Sequence, residues 1–106
     1  MAQTNSRLSP YGVEDDLLRA SLYKEIRQGS PGWTQYEIQP GDVGFPELIA
    51  HRVYGTADMK WVVLIAAKID SMRNFMDSGE VLLLPPVAWV RERIKHYHAL
   101  ELIPSA

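Results

Sequence analysis

The chain has 106 residues and no cysteine, so it can build no disulfide framework, no thiolate metal site and no thiol nucleophile. Its longest apolar run, Trp61 to Ala67, falls far short of the roughly 20 residues that a membrane-spanning helix needs. The opening Met-Ala-Gln-Thr-Asn-Ser-Arg lacks the apolar stretch of a secretory signal, and the expectation is a soluble protein assembled in the cytoplasm. Neither sign of charge dominates. A formal net charge of -2 provides no basic field for nucleic acid. There is no internal repeat, no phosphate-cradling glycine loop, no Gly-x-Ser-x-Gly and no His-Glu-x-x-His. His96 and His98 are two apart, which on a helix turns them about 200° from each other and keeps them off a common metal. His51 stands alone. Glycoside hydrolysis needs two carboxylates about 5 to 10 Å apart across a cleft. Glu37, Asp42, Glu47, Asp70 and Asp77 are available, but a unit this small offers no evident cleft. The expectation is a protein without catalytic residues, metal or cofactor.

What is present is an ordinary globular composition, 46% hydrophobic and 23% charged, which suits a folded chain. Residues 1–12, polar and broken by Pro10 and Gly12, read as an arm that is mobile or ordered only on a partner. From Val13 the acidic Glu14, Asp15 and Asp16 suit a helix N-terminus, and Leu18, Leu22 and Ile26 recur every four residues up to Gly29. Ser30-Pro31-Gly32 reads as a linker. Tyr36 and Ile38 alternate with polar neighbours as a strand does, followed by a Pro40-Gly41-Asp42 turn. Phe45, Leu48, Ile49 and Val53 lie at helical spacing, with Pro46 in the first turn. Gly55 supplies a left-handed end and Thr56 a cap for a second helix from Ala57 to Ile69. That helix is apolar nearly all round, so it should be buried on every face, and part of its surface is expected to meet another chain. Phe75-Met76 reads as a plug beneath the core. Glu80 to Leu84 reads as a second strand, stopped by Pro85-Pro86. From Val87 a last helix sets Val90, Ile94 and Tyr97 on one face and Arg91, Arg93, Lys95, His96 and His98 over the rest. An acidic helix thus opens the chain and a basic one closes it, suited to pairing within one molecule or between copies.

This strand, Gly-Asp turn, helix, helix, strand order resembles a LysM domain. The matching residues are Tyr36-x-Ile38-x-x-Gly41-Asp42, Leu48-Ile49-Ala50, Leu64-Ile65-Ala66 and Gly79-Glu-Val-Leu-Leu-Leu-Pro85. The resemblance implies an α+β fold: a βααβ unit, with a two-stranded antiparallel sheet covered by two helices, and added N- and C-terminal helices. Three segments follow: an arm and amphipathic helix (1–32), the LysM-like domain (33–86) and a C-terminal helix (87–106). On this plan Leu48, Val53, Trp61, Leu64, Ile65, Val81 and Leu83 are expected in the core, with both terminal helices outside it.

Val53-Tyr54-Gly55-Thr56-Ala57-Asp58-Met59-Lys60-Trp61, followed by Leu64-Ile65-Ala66, is similar to the version found in LysM-like baseplate and tail proteins of contractile-tailed bacteriophages. That resemblance implies a virion protein of the tail baseplate. Its partners would be tube or wedge subunits and neighbouring copies in a sixfold ring, with no nucleic acid and no membrane. The alternative is a module that binds N-acetylglucosamine polymers of peptidoglycan. Val43 after Gly-Asp, Pro46 in the following loop and Ile69-Asp70 after the second helix depart from the sugar-binding pattern. The residues expected at protein interfaces are Leu18, Leu22 and Ile26 on the first helix, Val62 on the apolar helix, Trp33 and Trp89 at the two domain edges, and Arg91 and Arg93 on the last helix.

Overall fold

The first helix starts where a carboxylate meets bare backbone donors: Asp15 accepts the N–H groups of Leu17 and Leu18 at 2.9 and 3.0 Å, the usual satisfaction of a helix N-terminus. In the computed structural model, which describes residues 8–68 and 78–103, this helix is α1 (Asp16–Gln28). After it come β1 (Thr34–Glu37), α2 (Pro46–Tyr54), α3 (Lys60–Ala66), β2 (Val81–Leu84) and α4 (Val87–Glu101). The fold is α+β: among the described residues a two-stranded antiparallel sheet and four α-helices, in which the expected βααβ order carries a helix at either end. Ile69, the polar turn from Asp70 to Asn74 and the Phe75-Met76 plug lie outside the described residues.

Glycine and threonine separate α2 from α3 as their chemistry suggests. Gly55 adopts φ 79° and its N–H bonds the His51 carbonyl, a left-handed position where any side chain would be strained. Thr56 then accepts the Asp58 N–H through its hydroxyl. The second helix is shorter than expected, beginning with a tight turn at Ala57–Met59 and stopping at Ala66. The β1–α2 turn is fastened by Asp42, the one buried charged side chain among the described residues. Its carboxylate accepts the Gln39 N–H at 3.0 Å and the Tyr36 hydroxyl, and it lies 2.7 Å from Arg52 Nη1 on α2. Strand, turn and helix thus share one ion. Asp42→Ala leaves the Gln39 N–H and the Tyr36 hydroxyl without their acceptor and Arg52 without its ion-pair partner, and it is expected to cost about 2–3 kcal/mol in denaturant unfolding.

Register decides which leucines are inside. β1 pairs with β2 as Thr34↔Leu84, Gln35↔Leu83, Tyr36↔Leu82 and Glu37↔Val81, which turns Ile38, Leu82 and Leu84 inward and leaves Val81 58% exposed. The sequence expectation of Val81 and Leu83 in the core is therefore corrected by one residue. Successive strand residues face opposite ways, and an unbroken apolar run does not say which phase is buried. On α2 the inward arc is Ile49 and Ala50, with Val53 packed against it. Leu48 falls at the rim, 41% exposed. Trp61, Leu64 and Ile65 are half-buried, whereas Met59, Val62 and Val63 are fully enclosed.

The larger correction concerns the ends. Leu22 and Ile26 of α1, Val90, Ile94 and Tyr97 of α4, and Val13 before α1 all belong to the same apolar cluster as the sheet and the α2–α3 pair. α1 packs on α3 and on α4, so the face of α3 expected to need another chain is covered by the chain's own first helix. Ser30-Pro31-Gly32 is a tight return, with the Trp33 N–H on the Ser30 carbonyl, and it does not isolate the helix. Gly29 helps: at φ 71° it lies so close to Leu83 that an added Cβ would sit 3.1 Å from Cδ1. Within the supposed arm, the described part is fastened too. The Leu8 carbonyl accepts Trp61 Nε1–H at 2.8 Å, and just past the arm Arg19 Nη1 donates to the Val13 carbonyl at 2.8 Å.

Candidate functional site

The acidic first helix and the basic last one meet within the molecule. Arg93 Nη2 donates to Glu25 at 2.8 Å, the Tyr97 hydroxyl donates to the same carboxylate oxygen, and the Arg93 guanidinium lies 5.1 Å above the Tyr97 ring. At the far end of the same pair the Asp15 N–H donates to Glu101 at 2.6 Å, with His98 Nδ1 3.3 Å from that carboxylate and 3.2 Å from the Gly12 carbonyl. Partial burial pulls the Glu25 carboxyl upward, but the hydrogen bonds from Arg93 and Tyr97 and the Arg93 charge outweigh it, and its pKa lies below the ordinary value of 4.5. A carboxyl lowered in the folded state adds stability that is present above its ordinary pKa and is lost as pH falls through the lowered one. The melting temperature should therefore fall below pH 4.5, and Glu25→Gln should make that fall shallower. An unchanged acid slope in the variant would remove Glu25 from the clasp.

These contacts redistribute the expected interface residues. Leu22, Ile26 and Val62 are enclosed within the chain and unavailable to a partner. They are apolar because α1, α3 and the sheet bury one another. Leu18 is half-buried against the same cluster. Arg93 is engaged by Glu25, and Arg91 beside it is half-buried. Trp33 and Trp89 do come together: their rings meet edge to face with centroids 4.7 Å apart, closing the seam between the approach to β1 and the start of α4. Both keep partial exposure.

Beyond Tyr11, Leu17 and Val81, the exposed large apolar side chains among the described residues gather at two edges. One is the rim of α2, where Phe45 is 52% exposed beside Val43 and Leu48. The other is the end of α4, with Leu100, Leu102 and Ile103. At the first edge helical spacing misled, because Phe45 and Leu48 share it with Ile49 and Val53 yet lie off the Ile49-Ala50 arc that the fold buries; at the second, Leu102-Ile103 run past the Val90-Ile94-Tyr97 stripe. Among the described residues there is no group of three His, Asp or Glu side chains placed to share a metal ion. None of their helices is long and apolar enough to cross a membrane. The Tyr54 hydroxyl donates to the Pro85 carbonyl at 2.8 Å, and burial pushes its pKa up, so the phenol stays a neutral donor tying α2 to the end of β2. No protein-family model, curated protein or solved structure matches this chain.

Proposed function

We propose that this chain is a structural subunit of the baseplate of a contractile phage tail, acting through protein–protein contacts in a ring or wedge around the tail tube. The observation that carries the reading is the pair of apolar edges on a block whose helices share one core. Ring assembly uses heterologous contacts, in which one patch meets a different patch on the next copy. The α2 rim and the α4 end are two such patches, and exposed apolar residues beyond scattered single ones mark interaction surfaces. The Tyr54-Gly55-Thr56 hinge and Trp61 support the same reading through their likeness to LysM-like tail proteins. In the structure Gly55 ends α2 and Trp61 lies on α3 against the Leu8 strap.

Binding to peptidoglycan is the competing outcome. Pull-down on insoluble peptidoglycan should leave the protein in solution. Retention that soluble N-acetylglucosamine oligomers abolish would replace a tail subunit with a wall-binding module.

A further inference from the structure

Once α1 is seated on α3 and α4, its outward face is a single stripe of Leu17, Ala20, Ser21, Lys24, Arg27 and Gln28, all exposed. These positions recur at helical spacing, so they form one surface about three turns long. Leu17 is 81% exposed, although a leucine in a solvent stripe gains nothing from water. Ala20 and Ser21 make the middle of the stripe flat, because the Ser21 hydroxyl turns back to the Leu17 carbonyl at 3.2 Å. Charge runs along the stripe from acidic to basic. Exposed Glu14 and Asp16 stand at its start, Asp16 bonded to Arg19 of its own helix, and exposed Lys24 and Arg27 stand at its end.

We infer that this face is a docking site for α1 of a second copy, packed antiparallel about a two-fold axis through Ala20 and Ser21. In that arrangement the acidic start of each helix lies over the basic end of the other. Leu17 covers the Lys24 stem of its partner, and the small residues at the crossing let the two backbones approach. The stripe is self-complementary only in this orientation, since a parallel pairing would set like charges together. The stripe is one helix face about three turns long, so the contact is expected to be weak and to weaken further with salt. The contact does not depend on the tail reading, and it should form whether or not the protein enters a particle.

Sedimentation equilibrium of the full chain tests it, with the double reversals E14K/D16K and K24E/R27E and the variant carrying all four. The two-fold axis counts each reversal twice, so either double reversal is expected to weaken dimerisation by roughly tenfold or more, and the four together to restore it. Because the chain has no cysteine, Ala20→Cys provides a second readout. It should oxidise to a disulfide-linked dimer far faster than Lys95→Cys on exposed α4. A chain that stays monomeric at millimolar concentration, a dimer indifferent to both reversals, or equal cross-linking at the two sites would overturn the inference.

Discussion

A chain lacking residues 1–29 is expected not to fold. The deletion removes Val13, Leu22 and Ile26 from the common core, and each buried side chain of this size contributes about 1.5–3 kcal/mol. Their sum approaches the whole stability of a small domain, about 5–15 kcal/mol. It also bares the side of α3 that α1 covers and leaves Arg93 and Tyr97 without Glu25. Circular dichroism of the truncated protein should show no cooperative melt. A cooperative transition near that of the full chain would mean that α1 is an appendage after all.

Trp61→Ala should give the largest effect of any single truncation on the helical side. The half-buried indole contacts three parts of the fold: it sits on α3, lies tilted against Tyr23 of α1 with ring centroids 6.1 Å apart, and donates its N–H to the Leu8 carbonyl. Partial exposure puts the cost at the lower end of the range for aromatic truncation, about 3 kcal/mol, or a fall of roughly 15 °C in melting temperature for a domain of this size. Trp61→Phe keeps most of the ring packing and loses the hydrogen bond, so about 1 kcal/mol is expected. Equal losses in the two variants would show that the strap, and not the packing, carries the effect.

Element boundaries were legible because the chain punctuates itself chemically. Asp15 caps α1, Gly55 and Thr56 divide α2 from α3, and Pro85-Pro86 stops β2 before α4. The phase of β2 was not legible, because Val81-Leu82-Leu83-Leu84 is apolar in both phases and only pairing with Tyr36 and Thr34 selects Leu82 and Leu84. Nor was the cover of α3. Ser30-Pro31-Gly32 serves a linker and a tight return equally well in composition, and the direction in which α1 leaves it depends on the Gly29–Leu83 approach. Opposite charge on the terminal helices was visible, but the choice between pairing within and between molecules rests on Glu25 facing Arg93. The expected interface drew on the most apolar positions of α1 and α3, Leu22, Ile26 and Val62, and those are the ones the core consumed. The apolar residues that stay exposed at the α2 rim and the α4 end were not singled out: helical spacing put Leu48 in the core, and Leu102 and Ile103 lie past the last helical stripe.

Cryo-electron microscopy of contractile-tailed particles from cells that express this chain tests the proposed role most directly. The account predicts symmetric density for the subunit in the baseplate or at its junction with the tube, in multiples of six, with the Phe45–Leu48 rim and the Leu100–Ile103 end buried against neighbours. Complete tails without the subunit, with the protein found only free or on cell wall, would contradict it.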